Sequence, residues 1–292
     1  MFKRIFSFAR KLRTNSKFFH YLSCTSLWIN FLCKHYRHIR TYFLRNEAIL
    51  FFTQNQTSVN AIVNILADDK SKMTYSGMIK YLQTANKKDF PTLYVVDVQY
   101  FIEEMRFSKD EIFIDCGAYD GNTIDDFLKY CREYKKIIAF EPDPSNFYSL
   151  SKKYDNNPKI DLINAGVYDK DGVITFETCG DGGSRISNST SSDTFDTNVV
   201  TIQIRAIDGL NLEKVSFIKM DIEGVELNAL KGAEKTILRD KPKLAICIYH
   251  SNEDMIYIAE YIHNLVPEYK IYVRQHLHYP ETYETVLYAI MP

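Results

Sequence analysis

Two stretches of the chain carry acids and glycines at a spacing typical of a ligand site in an α/β protein. In the first, residues 110–121 read DEIFIDCGAYDG, so the apolar run IFI is followed by Asp115 and then by Gly117 and Gly121. This pattern is typical of a buried parallel strand that ends in a tight turn and leads into a helix. Because ligands of doubly wound sheets bind at the carboxyl ends of such strands, we expect the turn to contact a ligand.

The acids around this turn indicate the type of ligand. Asp115 stands where a dinucleotide-binding G-x-G-x-x-G pattern would have its first glycine, and a carboxylate there would repel a pyrophosphate. The same carboxylate suits the cationic amine and sulfonium of S-adenosylmethionine. About 20 residues after Gly121 a second apolar run ends at Glu141, where an acid commonly accepts ribose hydroxyls. Each acid alone is more typical of a turn or a helix cap, but their order favours a ligand site.

The second stretch, residues 215–239, places three ionisable residues at alternate positions. Lys219, Asp221 and Glu223 would all point to one side of a strand. Such a row is costly at the edge of a core strand, but it has a use if an acceptor hydroxyl is deprotonated there. Alternatively, Lys219 pairs with one acid to close the strand end, and Glu223 or Glu226 favours the N-terminus of the next helix. We favour the site for Asp221 and the structural role for Glu226.

Histidines supply the remaining titratable candidates. His250 follows the apolar run 244–249, and a histidine at the carboxyl end of a central strand lies at the ligand edge. A catalytic and a structural role are about equally supported for it. His276 and His278 have the H-x-H spacing of two metal ligands, but no third partner is close in sequence, so no metal site is predicted. The need for a divalent metal ion stays open.

A polar segment and the cysteines contribute less. Residues 179–198 are rich in Gly, Ser, Thr and Asp and form either a plain surface loop or a cover over the site. Ser184 and Arg185 within this segment, together with Glu223, are predicted to contact the substrate. The six cysteines show no C-x-x-C motif, so reduced thiols in a cytoplasmic protein are expected. Cys116 is explained better as a small turn residue than as a nucleophile, because no histidine lies near it in sequence.

The N-terminal part of the chain is strongly basic. The 292 residues have a net charge of −1, yet ten Lys and Arg and no acid precede Glu47, which leaves 26 basic against 37 acidic residues in the remainder. A domain this acidic is a poor nucleic-acid binder, so no nucleic-acid partner is predicted. Residues 1–90 are predicted to be helical, with aromatic faces packed on the main domain. The alternative is peripheral contact of the basic side chains with the anionic inner face of a membrane.

The elements that must position these residues follow from the hydrophobic pattern. A chain of this length suits one α/β domain with an appendage, and the predicted division is 1–90 and 91–292. The run 18–33 is too short and too polar to span a bilayer. The predicted elements of the main domain are strands at 112–114, 137–140, 160–163, 173–177, 199–204, 216–218, 244–249, 270–274 and 285–290, and helices at 145–154, 254–265 and, for a short one, Gln99 to Met105. Asp143 is predicted to cap a helix that begins at Pro144.

The motifs DCGAYDGNT, AFEPDPSNF, NAGV and KMDIEGVELNALKGA, with a strand that ends at His250, together resemble the FkbM-type S-adenosylmethionine-dependent methyltransferases. The resemblance covers about residues 107–265 and does not include the first hundred residues. It implies an α/β fold with a Rossmann-like class I methyltransferase sheet of seven strands, the last antiparallel. The helical N-terminal extension departs from the short forms of the family. Methyl transfer to an oxygen of a sugar or natural product is the activity that the resemblance implies.

The resemblance also implies roles for single residues. Asp115 and Gly117 would face the amino acid end of the cofactor, Glu141 the ribose, and residues 164–167 the adenine, while Asp221 would lie near the acceptor. The full set predicted to bind S-adenosylmethionine is Asp115, Gly117, Ala118, Gly121, Thr123, Glu141, Pro142, Asn164, Ala165 and Asp221. The catalytic candidates are Asp221 or His250 as the base, and Lys219, which either stabilises charge on the acceptor oxygen or keeps Asp221 ionised.

Three functions are compatible with the sequence. The favoured one is an O-methyltransferase for a small-molecule or glycan acceptor, which would be lipid-linked if the N-terminal region rests on a membrane. The second is a non-catalytic module that keeps the fold. The third is an NAD-dependent oxidoreductase, which the missing G-x-G-x-x-G pattern disfavours. The sequence indicates neither the acceptor hydroxyl nor the oligomeric state.

Overall fold

The computed structural model describes residues 44–92, 95–178, 184–186, 198–280 and 283–292. The strands, in chain order, are β1 (Ile112–Cys116), β2 (Lys136–Phe140), β3 (Ile160–Ile163), β4 (Gly166–Val167), β5 (Gly172–Thr178), β6 (Ser184–Ile186), β7 (Asn198–Arg205), β8 (Phe217–Met220), β9 (Lys243–Cys247), β10 (Lys270–Gln275) and β11 (Thr285–Ile290). The helices are α1 (44–54), α2 (Gln56–Ile65), α3 (Asp69–Thr84), α4 (Asn122–Tyr130), α5 (Pro144–Tyr154), α6 (Glu226–Lys231), α7 (Glu234–Asp240) and α8 (Asn252–Leu265), with short 3₁₀ turns at Lys87–Asp89 and Ile207–Leu210. The run 18–33 and nearly all of the basic residues that precede Glu47 lie outside the described residues, so the alternative of membrane contact stays a prediction.

Seven strands form the main sheet, in the order β10-β11-β9-β8-β1-β2-β3. β11 is antiparallel to both of its neighbours, and the other pairs are parallel. This confirms the expected seven strands with an antiparallel last strand. All five residues of β1 are buried, as expected for a strand with helices on both faces. The ring of Phe113 in β1 stacks on that of Phe217 in β8, with centroids 4.6 Å apart.

A smaller sheet has the order β4-β7-β5-β6. β5 and β7 pair antiparallel, so the two strands predicted on either side of the polar segment are neighbours in space. Within that segment, residues 184–186 form β6 beside β5, and the rest lies outside the described residues. The side chains of Ser184 and Arg185 also lie outside what the structure describes, so their substrate contacts stay a prediction.

Local signals placed one helix correctly and one wrongly. The Asp143 side chain accepts hydrogen bonds from the backbone N–H groups of Ser145 and Asn146, and Pro144 begins α5, as predicted. The short helix expected from Gln99 to Met105 is absent, because these residues form turns. Tyr100 has a left-handed backbone with φ of 65°, and its N–H donates to the Tyr288 hydroxyl instead of continuing a helix.

The helices before residue 90 pack on the β10 edge of the main sheet. The buried side chains of Phe52 and Tyr75 belong to the same hydrophobic core as Ile271 of β10. The Tyr75 hydroxyl donates to the Met255 carbonyl of α8 over 3.1 Å. In the described part of the chain, residues 44–92 therefore share the core of the main sheet, and no helix there is long and apolar enough to cross a membrane.

A buried arginine ties α3 to the sheet. The Arg274 side chain is 3% exposed, forms ion pairs with Asp68 and Glu104, and donates to the Ser71 hydroxyl over 2.7 Å. Asp68 is also the N-cap of α3, and it accepts from the Ser71 N–H. One guanidinium thus links the helix cap to β10 and to the turn that carries Glu104.

Arg274→Met should lower the free energy of unfolding by about 2 kcal/mol. The value lies below the cost of breaking a fully buried pair because both carboxylates are about one-third exposed and water can solvate them. Urea unfolding followed by circular dichroism measures the change. Lys72→Met is the matched control, since its exposed pair with Asp69 should contribute less than about 0.5 kcal/mol. Equal effects of the two variants would contradict the assigned role of Arg274.

Candidate functional site

Three parallel strands end together and place their following loops side by side. Cys116 at the end of β1 lies opposite Phe140 of β2 and Met220 of β8. The loops that begin at residues 117, 141 and 221 therefore leave the sheet at one edge, as the parallel arrangement requires. Most of the residues predicted to bind the cofactor lie on these loops or on the neighbouring one after β3, but Thr123 lies in α4 and Asp115 lies within β1. Asp115 has no exposed surface and pairs with Lys219, so the prediction that it faces the cofactor does not fit the structure.

The two glycines of the first loop are required by close packing. Gly117 has φ of 82°, and a Cβ atom there would lie 2.0 Å from the Asp221 carbonyl oxygen. Gly121 has φ of 89°, and its Cβ would lie 2.5 Å from the ring of Tyr154. Left-handed backbone and contact with other segments together exclude any side chain at both positions. The turn is thereby held directly against the loop that carries Asp221.

Lys219 binds the turn formed by residues 117–121, called the glycine turn below, from the side of the core. Its ammonium lies 3.1 Å from Asp115 Oδ1 and donates to the Gly117 carbonyl over 2.8 Å and more weakly to the Cys116 carbonyl. The side chains of Lys219 and Asp115 are 2% and 0% exposed. Burial alone would lower the pKa of Lys219, but the Asp115 and Asp221 carboxylates outweigh burial and hold it above its usual value. The ammonium is therefore charged and fully engaged by the turn.

Glu141 closes the second loop over the first. Its carboxylate accepts the Tyr119 N–H at one oxygen over 2.8 Å and the Asp143 N–H at the other over 2.9 Å. Burial raises the pKa of Glu141, and the two amide hydrogen bonds oppose this rise. Asn164, after β3, donates its side-chain amide to the Glu141 carbonyl over 2.8 Å. Each Glu141 oxygen has a second lone pair, so the carboxylate can still accept hydroxyl groups of a ligand.

Asp221 follows β8 and lies between two tyrosines. One oxygen accepts from the Tyr100 hydroxyl over 2.8 Å and the other from the Tyr249 hydroxyl over 3.0 Å. Burial would raise the pKa of Asp221, but Lys219, His250 and the two hydroxyls together hold it below its usual value. The Asp221 side chain is still 24% exposed. An ionised carboxylate in a fixed orientation is thus presented at this edge.

His250 lies between carboxylates, three residues after the end of β9. Its Nδ1 is 3.1 Å from Glu226 Oε1, and its Nε2 is 3.5 Å from Asp221 Oδ1 and 3.8 Å from Glu223 Oε2. Burial would lower the pKa of His250, but these acids, Glu226 foremost, raise it to about 9. Glu226 has no exposed surface and also accepts the Ile222 N–H over 2.9 Å. The fixed groups at this edge are therefore Asp221, Glu226 and His250.

The sequence of this part of the chain matches a family of known proteins. Residues 115–275 match the model of the methyltransferase FkbM domain, and this segment includes the glycine turn, Glu141, Asp221 and His250. The chain belongs to the FkbM methyltransferase family. The resemblance expected from the motifs is thereby confirmed, and the seven-stranded sheet is that of a class I methyltransferase fold.

Two similar proteins show how much of the chain the similarity covers. The crystal structure of the methyltransferase FkbM from Methylobacillus flagellatus superposes with a TM-score of 0.68 at 27% sequence identity, covering 82% of this chain and 60% of that one. The 2-O-methyltransferase NoeI of Sinorhizobium fredii is 23% identical over an alignment of 149 positions, which covers 45% of this chain and 61% of the relative. The chain spans about three-fifths of the length of each.

The FkbM fold brings most of the predicted residues to one edge. Glu141 and Pro142 begin the loop after β2, Asn164 and Ala165 follow β3, and Asp221 follows β8. Thr123 lies half-buried in the first turn of α4, next to the glycine turn, and Ala118 donates its N–H to the Phe140 carbonyl. Whether these residues bind the cofactor stays a prediction.

The structure decides between the alternatives for the second stretch. Lys219 does not face an acceptor oxygen, because Asp115 and two carbonyl groups take its ammonium, as the alternative of pairing with an acid predicted. Its charge also helps to hold the pKa of Asp221 below its usual value. The alternation of Lys219, Asp221 and Glu223 fails, since β8 ends at Met220 and Glu223 lies in a turn with φ of 60°. Glu223 is 63% exposed, and its Oε2 lies 3.8 Å from His250 Nε2. A part in substrate binding stays a prediction for this residue.

The other histidines and the turn cysteine have structural surroundings. His276 Nδ1 lies 2.6 Å from the Val96 carbonyl oxygen and Nε2 2.9 Å from the Tyr288 hydroxyl, so neither nitrogen is open to a metal ion. His278 pairs with Asp97 at the surface. Burial raises the pKa of the Cys116 thiol well above its usual value, which opposes a nucleophilic role.

Three residues at the site were missed or assigned a structural role from the sequence. Tyr100 and Tyr249 orient Asp221, and Glu226 joins the site through His250. Tyr249 directly precedes His250, and Glu226 follows Asp221 by five positions, so their proximity in sequence was a usable signal. Tyr100 gave none, because its contact with Asp221 depends on tertiary structure alone.

Proposed function

We propose that this chain is an S-adenosylmethionine-dependent O-methyltransferase that acts on a hydroxyl group of a sugar, a glycan or a related metabolite. The proposal rests on one observation: the loops after β1, β2 and β8 leave the sheet at the same edge and bring two kinds of acid together there. There, an acid that can accept ribose hydroxyls lies on one side of the glycine turn, and an oriented carboxylate with a histidine lies on the other. One side suits a nucleoside, and the other suits a hydroxyl that must lose a proton.

The residues present fit the cofactor. Glu141 is fixed beside the glycine turn by two backbone N–H groups and has acceptor capacity left for hydroxyl groups. Glu141 would hold the ribose, the turn would hold the amino acid end, and Asn164 and Ala165 would border the adenine. Asp115 is fully buried against Lys219, so it supports the turn from within the core. When bound, S-adenosylmethionine supplies an activated methyl group.

The protein's own contribution to the reaction is alignment and proton removal. Asp221 and His250 are 24% and 11% exposed, whereas Lys219 and Glu226 are 2% and 0% exposed. Asp221 is therefore the group that contacts the acceptor hydroxyl and takes its proton. Tyr100 and Tyr249 fix the carboxylate, and His250 orients it from the other side.

The oxygen acceptor is supported by one relative. NoeI carries the description 2-O-methyltransferase, and it aligns at 23% identity with less than half of this chain. A glycan or small-molecule acceptor is therefore proposed here, with a lipid-linked glycan as the choice if the basic N-terminal region contacts a membrane. Cytoplasmic location, association with the inner membrane face and the absence of a nucleic-acid partner remain expectations from composition.

Isothermal titration with S-adenosylmethionine, and separately with NADH, tests the cofactor. The protein should bind the former with a micromolar Kd and should not bind the latter. Glu141→Ala should weaken S-adenosylmethionine binding about tenfold or more, because a hydrogen bond to a charged group contributes about 1.5–3 kcal/mol. A thermal melt of each variant separates lost binding from lost folding.

The control for this experiment is Glu133→Ala. Glu133 is exposed and precedes β2 at the end of the sheet opposite to Glu141, so this variant should keep the wild-type Kd. Binding of neither compound would favour a non-catalytic module, and binding of NADH alone would contradict the cofactor assignment.

A further inference from the structure

The tertiary structure brings together three residues whose side chains are metal ligands in other proteins. One ligand atom each from Asp221, Glu226 and His250 lies within 4.8 Å of the other two. The closest approach is 3.1 Å between Glu226 Oε1 and His250 Nδ1, whereas Asp221 Oδ1 lies 3.5 Å from the other ring nitrogen, Nε2. An imidazole offers a single cation one nitrogen, so an ion held by all three residues requires a change of rotamer at His250 or at the carboxylate that faces its other nitrogen.

A second observation points to a missing positive charge. Glu226 has no exposed surface, and while its Oε1 contacts His250 and the Ile222 N–H, its Oε2 has no hydrogen-bond partner among the described residues. Asp254 nearby is 7% exposed and likewise has an oxygen without a partner in the described part of the chain. Buried carboxylates are costly unless they are paired or hold a metal ion. One imidazole facing several acids does not satisfy them all.

We propose that Asp221, Glu226 and His250 bind a divalent metal ion at the edge of the sheet. Two carboxylates favour a hard cation such as Mg²⁺ or Mn²⁺, and the imidazole favours a first-row transition metal. Mn²⁺ accepts both kinds of ligand, so it is the expected ion and the probe for the test. Three protein ligands leave positions open for water or a substrate oxygen.

The position of this site gives it a clear use. Asp221 is the residue proposed to contact the acceptor, so an ion held there can bind the acceptor oxygen and stabilise its negative charge after the proton has left. This use rests on the proposed methyl transfer, whereas binding of the metal ion does not. From the sequence, the H-x-H motif predicted no metal site and the need for a divalent metal ion stayed open; that motif is not part of this cluster.

The test is isothermal titration of Mn²⁺ into the full chain after removal of metals with a chelator, in the absence of S-adenosylmethionine. One saturable site with a micromolar Kd is expected, and Glu226→Gln should weaken it by at least about tenfold. Glu253→Gln is the matched control, because it removes the same charge from an exposed residue in the first turn of α8 and should leave the Kd unchanged.

A second variant keeps the test decisive if Glu226→Gln, which changes a buried residue, does not fold. His250→Asn changes a residue with 11% of its side chain exposed, and the electron paramagnetic resonance of bound Mn²⁺ should lose its imidazole nitrogen coupling in this variant. Absence of saturable Mn²⁺ binding to the wild-type protein, or equal binding by Glu226→Gln, would overturn the site and leave an ion-paired histidinium in its place. A protein that binds S-adenosylmethionine but not Mn²⁺ would overturn the metal site alone.

Discussion

Asp221→Asn should lower the turnover of methyl transfer by about 100-fold or more, while the Kd for S-adenosylmethionine stays nearly unchanged. Asparagine keeps the shape of aspartate and can still accept one tyrosine hydroxyl, but it carries no charge and cannot take a proton. Hydrogen bonds of 2.8 and 3.0 Å from the Tyr100 and Tyr249 hydroxyls fix the position of Asp221, and asparagine fits the same place, so the substitution should not disturb the fold. The effect should therefore fall on kcat.

The measurement is transfer of a radiolabelled methyl group to an acceptor found by screening sugars and glycans. Tyr249→Phe is the graded comparison, because it removes one hydrogen bond to Asp221 and keeps the carboxylate; a loss of about tenfold or less is expected. Running both variants at saturating Mn²⁺ separates proton removal from weakened metal binding. Wild-type turnover in Asp221→Asn would remove this residue from the reaction.

Local sequence signals were sufficient to predict much of the fold. The continuous apolar runs predicted the buried strands of the main sheet, and Asp143 with Pro144 predicted the start of α5. These signals work because the strand period, the cap and the proline act over a few neighbouring residues. The helix expected at Tyr100 failed for the opposite reason, since contacts with Tyr288 and Asp221 override local preference there.

The site was predicted as a set of loops and not as a set of contacts. Gly117 was expected to be a glycine for the sake of the turn, but the atom that excludes a side chain is the carbonyl oxygen of Asp221. Similarly, Asp115 and Lys219 lie directly opposite each other because β1 pairs with β8 in one particular register. That register is set by packing of distant strands, which the sequence of either strand alone does not reveal.

Lys219→Met should be the most destabilising of the variants considered, with a loss of about 3–5 kcal/mol in the free energy of unfolding. The substitution leaves the Asp115 carboxylate, which is fully buried, without its cation. It also removes the hydrogen bond that holds the Gly117 carbonyl. Because a domain has only about 5–15 kcal/mol of stability in total, this loss is about a fifth of it or more.

Urea unfolding compares this variant with Lys243→Met, in which the same substitution removes the lysine at the start of β9 from its pair with Glu111, which precedes β1. Glu111 is only 2% exposed, but it keeps hydrogen bonds from the Ser108 N–H and the Ser216 hydroxyl, so a smaller loss of about 1–2 kcal/mol is expected. The double variant Asp115→Val/Lys219→Met should regain most of the stability, because both charges are then gone from the core. If Lys219→Met were no less stable than Lys243→Met, Lys219 could not be the residue that holds the glycine turn.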